Sequence, residues 1–127
     1  MTYECSCYGD APQIHSERSI KRSRIPKKCC ECAFDIAPGD PCHYDFMITD
    51  GWASSYHTCQ FCWELYEWAR ISAPCFCYAV GGGLHAEIEQ LVEGLRREIP
   101  GFFFEYGRRA VRSKRSKEAL LAQRRAA

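Results

Sequence analysis

An α+β fold organised around zinc is predicted by three features of this 127-residue chain. Four cysteine pairs have metal-ligand spacing, two of them C-x-x-C and two of them C-x-C. The segment between the two C-x-x-C pairs alternates like a β-hairpin, and the second pair opens an amphipathic helix. A cysteine knuckle, a hairpin and a helix that carries the second pair follow one another in a treble-clef zinc finger. The predicted fold class is therefore α+β: a treble clef with a second four-cysteine zinc site and a C-terminal helical extension.

The first zinc site is predicted at the two C-x-x-C pairs. Its ligands would be Cys29, Cys32, Cys59 and Cys62. Tetrahedral Zn²⁺ takes four thiolates that arrive as two close pairs from distant segments, and a helix N-terminus stabilises thiolate charge. Cys30 is expected to point away from the ion, while Lys27 and Lys28 would offset the net negative charge of the tetrathiolate. The alternative is that these cysteines are small buried hydrophobic residues, which requires a coincidence of spacing.

A second zinc site is predicted at the two C-x-C pairs. Its ligands would be Cys5, Cys7, Cys75 and Cys77. Reduced free thiols and a disulfide are the alternatives for these four residues. The sequence contains no apolar run of signal-peptide or membrane-span length, so we expect a cytoplasmic protein, and cysteine pairs there read first as metal ligands. The expected cofactor is Zn²⁺, two ions per chain.

The hairpin is predicted between residues 41 and 58. In the segment PCHYDFMIT, one face carries Tyr44, Phe46 and Ile48, and the other carries His43, Asp45 and Met47. Asp50-Gly51 is the favoured two-residue hairpin turn, and WASSYHT forms the returning strand. Cys42, without a partner at ligand spacing, is expected to be a half-buried strand residue.

Two amphipathic helices are predicted after the hairpin. The first begins at Cys59 with Thr58 as its N-cap and ends at residues 72–74. The second begins near Leu84 and ends at Pro100, after which the apolar segment GFFFEYG would form a strand or a core plug. We divide the chain into a zinc-binding domain, residues 1–105, and a basic tail, residues 106–127, that is at least partly helical.

The charges are sorted along the chain, although the net charge is only +1. Residues 1–28 carry six basic side chains against three acids, residues 29–105 three against twelve, and residues 106–127 eight against one. The basic segments 18–28 and 108–125 are candidate nucleic-acid surfaces. Their contact residues would be Arg18, Lys21, Arg22, Arg24, Arg108, Arg109, Arg112, Lys114, Arg115 and Lys117. Alternatively these ends are merely solvated, or the tail docks on the acidic helix segment at Glu87, Glu89 and Glu93.

Several motifs in residues 1–83 resemble small zinc-binding proteins of tailed bacteriophages and prophages. They are YECSCYGDAP, the basic stretch before CCEC, I.PGD, TCQFC..LYEW and PCFCY..GG. The resemblance implies the same eight cysteine ligands in two sites, and a bacterial host cytoplasm as the location. It implies no activity, because that family is functionally uncharacterised. The chain departs from the family pattern at Cys30, and at Ala33 after the knuckle, where glycine is usual.

A non-enzymatic binding protein is the function class that the residues favour. Treble clefs also include metal-dependent nucleases, for which His43 and His57 are the nearest candidates, but the chain has no asparagine and four thiolates leave no open coordination position. A RING ubiquitin ligase needs other ligand spacings. The predicted function is a protein-interaction module that inhibits or redirects a host (defence) complex, with DNA or RNA binding as the alternative. Neither a membrane nor a small-molecule substrate is expected.

Overall fold

A computed structural model describes residues 14–73, 76, 78 and 81–126 of the chain. Within these residues the fold is mixed α+β, with small antiparallel sheets and three helices. In chain order the elements are β1 (Ile14–Ile20), β2 (Lys27–Lys28), β3 (Asp35–Ile36), β4 (Cys42–Thr49), β5 (Trp52–Cys59), α1 (Gln60–Ser72), α2 (Leu84–Gly94) and α3 (Pro100–Ala126). Among the described residues, no helix is long and apolar enough to cross a membrane. The predicted α+β class is confirmed.

The hairpin between β4 and β5 follows the predicted pattern. Asp50 and Gly51 have φ angles of 51° and 81°, and positive φ at both central residues is the requirement of a type I′ turn. The free edge of β4 is covered by β1, so the sheet order is β1-β4-β5. The sequence analysis did not predict β1, because IHSERSI lacks an apolar alternation. β2 and β3 form a separate two-stranded sheet around the knuckle.

On strand β4 of the three-stranded sheet, the more polar face is buried and the more apolar face is partly exposed. His43, Asp45 and Met47 are buried on the inner face, and the ring of His43 stacks on Trp63 of α1 with centroids 3.4 Å apart. Tyr44 and its two apolar neighbours on β4 lie on the outer face and are only half-buried. A buried polar group is the informative exception in a protein interior, so this inner face requires a chemical explanation.

Helix α1 begins one residue later than predicted and uses a different cap. The N-cap is Cys59, with no side-chain capping hydrogen bond, so the predicted Thr58 cap is wrong. Thr58 is instead a buried residue of β5 whose Oγ1 lies 3.6 Å from the Sγ of Cys30. The sequence pattern misled because strand pairing with β4 continues through Cys59 and keeps Thr58 in extended backbone.

Residues 101–107, for which the sequence analysis expected a strand or a core plug, belong to helix α3. Pro100 starts this helix, as proline does at a first helical position, and Phe102 is buried against Trp68 with ring centroids 4.7 Å apart. The three consecutive phenylalanines resemble a strand in composition, but only one helical face packs inward. α3 continues without a break through residue 106, where the sequence analysis placed the start of the tail.

Candidate metal centre

The four cysteines of the C-x-x-C pairs meet in one cluster. The Sγ atoms of Cys29, Cys32, Cys59 and Cys62 all lie within 4.8 Å of one another. The Sγ atoms of Cys32 and Cys59 are 3.7 Å apart. A tetrahedral zinc ion with Zn–S bonds of about 2.3 Å requires sulfur atoms about 3.8 Å apart, so the donor set fits Zn²⁺.

The knuckle that carries Cys29 and Cys32 is closed by backbone hydrogen bonds. The N–H of Cys29 donates to the carbonyl of Phe34 at 2.9 Å, and the N–H of Ala33 donates to the carbonyl of Cys29 at 2.9 Å. Ala33 has a φ of 61°, the left-handed conformation that glycine adopts most easily. This is the position at which the phage-type pattern has glycine.

The second ligand pair is positioned by the junction of β5 and α1. Cys59 ends the strand and Cys62 lies in the first turn of the helix, where backbone N–H groups have no helical partner.

The sulfur of Cys29 in the first ligand pair accepts two backbone hydrogen bonds. The N–H groups of Glu31 and Cys59 donate to the Sγ of Cys29 at 3.4 and 3.3 Å. Such donors stabilise a thiolate, because they bring positive partial charge to the sulfur.

Electrostatics within the cluster call for a cation. Contacts with Cys29, and then with Cys59 and Cys62, lower the pKa of the Cys32 thiol. Contacts with Cys29, and then with Cys32 and Cys59, raise the pKa of the Cys62 thiol. One thiolate therefore suppresses the ionisation of its neighbours, and four thiolates are stable together only around a metal ion.

Two side chains outside the ligand set complete the electrostatic environment. The Nε2 of His85 on α2 lies 3.2 Å from the Sγ of Cys62, and burial lowers the pKa of this histidine. Burial lowers the pKa of Lys117 on α3, but the neighbouring sulfurs of the cluster raise it by more, so the pKa of Lys117 is raised. Lys117 is therefore the ammonium group beside the sulfurs, whereas Lys28, expected there, pairs with Asp35 at 2.8 Å.

Glu31, between the knuckle cysteines, joins the metal cluster to α2. Its carboxylate accepts hydrogen bonds from the hydroxyl of Tyr78 at 2.6 Å and from the backbone N–H of Leu84 at 2.9 Å, and also from Gly82. Gly82 has a φ of 105°, and an added Cβ would lie 3.4 Å from the carbonyl oxygen of Cys30. The sequence analysis missed this role, although an acid between two ligands was visible in CCEC.

The remaining cysteines lie outside this cluster. The Sγ of Cys30 contacts Thr58, and burial raises the pKa of Cys30 to about 12. Cys42 is buried in β4 with its Sγ 3.4 Å from the hydroxyl of Ser23. The four cysteines assigned to the second zinc site lie outside the described residues, so the count of two ions stays a prediction. They are Cys5, Cys7, Cys75 and Cys77.

In the first predicted basic segment, Arg18 lies beside the outer face of the sheet. Arg18 belongs to β1, and its guanidinium carbon is 5.3 Å from the ring centroid of Tyr44. Lys21, Arg22 and Arg24 are exposed in the connection that follows β1. Arg18 is thus available to a ligand on the outer face, whereas Lys21 lies near His43 and Trp63 on the inner-face side.

Some cations of the second basic segment contact other side chains of the protein, and others form no ion pair among the described residues. Arg108 and Arg109 pair with Glu105, and Arg109 also lies 5.4 Å from the ring centroid of Trp68. Lys117 faces the cysteines. Within the described part of the chain, Arg112, Lys114 and Arg115 take part in no ion pair.

The C-terminal end of α3 docks on the knuckle side of the body. Arg124 forms an ion pair with Asp40, donates to the carbonyl of Asp35 at 2.9 Å and lies 5.1 Å from the ring centroid of Phe34. Among the described residues, α3 forms no ion pair with the expected acidic surface at residues 87–93. The tail therefore contacts acidic groups of the body at two places: Arg124 pairs with Asp40, and the hydroxyl of Tyr106 donates to Glu89 on α2 at 3.5 Å.

The outer sheet face is a three-strand surface that mixes aromatic, apolar and small side chains. Its cross-strand rows are Arg18–Tyr44–His57, Ser16–Phe46–Ser55 and Ile14–Ile48–Ala53. None of these nine residues is acidic. Burial, and the positive charges of Lys27 and Arg18, lower the pKa of His57.

No family model, curated protein or solved structure matches this chain. The resemblance to phage and prophage zinc proteins accordingly stays a prediction. A function has to be inferred from the cysteine cluster and from the chemistry of the exposed surfaces.

Proposed function

We propose that the chain is a non-enzymatic treble-clef zinc domain. The order of knuckle, hairpin and helix around four thiols supports this assignment. Four thiolates would fill the coordination sphere of Zn²⁺, so the ion would be structural and would supply on the order of 10 kcal/mol of folding free energy. The domain would then be a rigid carrier for a binding surface.

We propose that the binding surface is the outer sheet face and that its ligand is single-stranded nucleic acid. The observation that carries this proposal is the pair of aromatic rings on the central strand, Tyr44 and Phe46, on a face without acids. Phe46 is flanked across both neighbouring strands by Ser16 and Ser55, which leave room for a base to stack. Residues two apart on a strand are about 6.6–6.8 Å apart, so each ring can take its own base.

The cations beside this face would contact the phosphates. Arg18 lies next to Tyr44, and the exposed Arg22 and Arg24 continue from the same strand. Proteins that bind single strands without sequence preference combine such a basic border with aromatic stacking, which is worth about 1–3 kcal/mol per base. The sequence analysis favoured protein binding because it could not tell which aromatic residues remain accessible to solvent.

Fluorescence anisotropy with labelled single-stranded DNA and RNA of mixed sequence tests this function. Phe46→Ala should weaken binding by about 10-fold, the equivalent of roughly 1.4 kcal/mol of lost stacking. Phe104→Ala is the matched control, because Phe104 is also accessible to solvent but lies on α3. Absence of binding at low salt, or equal effects of the two substitutions, would contradict the proposal.

The same assay distinguishes the contributions of the two basic segments to nucleic-acid binding. α3 packs on α1, which covers the inner face of the sheet, so the exposed cations of α3 are not neighbours of the outer face. The double substitution Arg112→Gln and Arg115→Gln should therefore leave affinity and its salt dependence unchanged. A decrease of about 1.4 in the slope of log affinity against log salt would show instead that α3 clamps phosphates.

Protein binding is the second candidate, supported by an exposed strand edge. β1 is exposed along almost its whole length, Ile14 on it is 52% exposed, and Trp52 at the hairpin tip is 80% exposed. An exposed edge can take an added strand from a partner, such as a host protein or a host (defence) complex that the domain inhibits or redirects.

Capture of a partner protein from nuclease-treated bacterial lysate tests the proposal that this domain binds a protein. A stoichiometric partner should be lost with Ile14→Asp and kept with Ile25→Asp, because Ile25 is similarly exposed but lies outside the sheet. Loss of the partner with both variants, or with neither, would argue against docking on β1.

A further inference from the structure

A cluster of ionisable side chains on the inner sheet face has no role in the zinc centre or in the outer surface. It comprises His15 and Glu17 on β1 with His43 and Asp45 on β4. Glu17 lies directly across from Asp45 in the strand register. Like charges that face each other across two strands destabilise a sheet, so a cation between these carboxylates would stabilise it.

The distances among His15, Glu17 and Asp45 are those of ligands that share one ion. The Nε2 of His15 lies 2.9 Å from Oδ1 of Asp45, and the Nε2 of His43 lies 3.4 Å from Glu17 and 3.8 Å from Oδ2 of Asp45. Ligand atoms of His15, Glu17 and Asp45 all lie within 4.8 Å of one another. Nitrogen and oxygen ligands about 2.1 Å from a tetrahedral ion lie about 3.4 Å apart.

Two buried atoms of the cluster are left without partners. Asp45 is 3% exposed and His43 is 4% exposed. In the described part of the chain, neither Oδ2 of Asp45 nor Nδ1 of His43 has a hydrogen-bond partner. A buried, unsatisfied polar atom costs about 1–3 kcal/mol, and more when it is charged. For Oδ2 of Asp45, such a cost on the central strand is expected where a cation compensates for it. Nδ1 of His43 is directed away from Glu17, which its Nε2 faces, and is not part of the site.

The cluster borders a cavity of about 200 Å³. Trp63, Tyr66 and Tyr78 line it on the side away from the sheet. The side chains of His15 and Glu17 are 42% and 55% exposed, so a cation can enter from solvent past β1. An ion held by this cluster would have the cavity beside it.

We propose that His15, Glu17 and Asp45 form a second type of cation site, which binds a divalent first-row metal ion and leaves a coordination position open to the cavity. Its one imidazole and two carboxylates are nitrogen and oxygen ligands, which suit Mn²⁺, Fe²⁺ and Zn²⁺. The cysteine cluster offers only thiolates, which suit Zn²⁺ and disfavour Mn²⁺. Mn²⁺ therefore distinguishes the two sites in one molecule.

Titration of the full-length protein with Mn²⁺, followed by the electron paramagnetic resonance signal of free Mn²⁺, tests the proposal. The protein is first passed over a chelating resin and checked for retained thiolate-bound zinc. The wild type should take up one Mn²⁺ per chain, and Asp45→Asn should weaken uptake at least about 10-fold. Asp35→Asn is the matched control, because Asp35 is an exposed aspartate on β3. It should bind Mn²⁺ like the wild type.

Thermal unfolding supplies a readout that a merely structural Asp45 would not give. Mn²⁺ should raise the melting temperature of the wild type, because it binds the folded protein, and it should not raise the melting temperature of Asp45→Asn. Should that variant fail to fold, His15→Gln replaces it, with His57→Gln as the control on the outer face. No Mn²⁺ uptake by the wild type at millimolar concentration, or unchanged uptake by Asp45→Asn and His15→Gln, would overturn the proposal.

Discussion

At the scale of single residues, Ala33 bears backbone strain in the knuckle. Its φ of 61° costs an L-residue about 1–2 kcal/mol, and glycine avoids that cost. Ala33→Gly should therefore raise the free energy of unfolding of the zinc-loaded protein by about 0.5–1 kcal/mol after the larger entropy of unfolded glycine is subtracted. Urea denaturation measures the change.

Ala37 supplies the control for that substitution. Its φ is not in the positive region, so Ala37→Gly should lower the free energy of unfolding by about 0.5–1 kcal/mol. If Ala33→Gly is as destabilising as Ala37→Gly, the left-handed conformation assigned to Ala33 is incorrect.

Substitution of Lys117 tests whether its positive charge helps to retain a metal ion at the cysteine cluster. It is the lysine whose pKa the cluster sulfurs raise, and it would offset the net negative charge of a zinc tetrathiolate. Lys117→Gln should increase the rate of zinc transfer to a chromophoric chelator by about 10-fold, the usual effect of losing an outer partner of a metal site. Lys114→Gln, on the same helix but exposed, should leave the rate unchanged. Equal rates of zinc transfer for the two variants would mean that Lys117 does not interact with the cysteine cluster.

At the scale of elements, the hairpin and α1 could be predicted because their patterns are local. Alternation along β4 and the Asp50-Gly51 turn depend only on neighbouring residues, and both appear in the structure as expected. β1 could not be predicted, since its pairing with β4 is a long-range contact and its side chains are mostly exposed. The start of α3 was expected to be a strand or a core plug rather than a helix, because three consecutive phenylalanines mask the helical face on which only Phe102 is buried.

The junction between the knuckle and α2 is held by one carboxylate. Glu31 accepts backbone hydrogen bonds at the N-terminus of α2, where negative charge is also favoured by the helix dipole. Glu31→Gln should lower the free energy of unfolding by about 1–2 kcal/mol and increase amide exchange in the first turn of α2. Glu64→Gln, an exposed change on α1, should do neither. If amide exchange in the first turn of α2 is the same in Glu31→Gln and Glu64→Gln, then Glu31 does not order this helix.

At the scale of the whole molecule, the sheet divides the chemistry into two sides. The inner face holds the ionisable cluster under α1, and the outer face presents aromatic rings beside basic residues. Sequence alternation predicted which residues share a face, but hydrophobicity alone would have placed Tyr44 and Phe46 inside. The inversion could not be predicted, because it depends on where α1 packs.

The candidate zinc site was the part of the function that the sequence could specify most completely. Two C-x-x-C pairs fix ligand identity by spacing, and the structure brings Cys29, Cys32, Cys59 and Cys62 together. Its surroundings could not be specified, because His85 and Lys117 reach the sulfurs from α2 and α3, elements that are distant in sequence.

Zinc content measured by elemental analysis on the wild type, Cys29→Ser and Cys30→Ser tests the central claim most directly. Two adjacent cysteines of one knuckle are compared, of which Cys29 lies in the cluster and Cys30 does not. We expect Cys30→Ser to keep the wild-type zinc content and melting temperature. Cys29→Ser should lose one zinc ion per chain or fail to fold, since the site supplies on the order of 10 kcal/mol of folding free energy. Loss of zinc from Cys30→Ser together with full retention in Cys29→Ser would contradict the account.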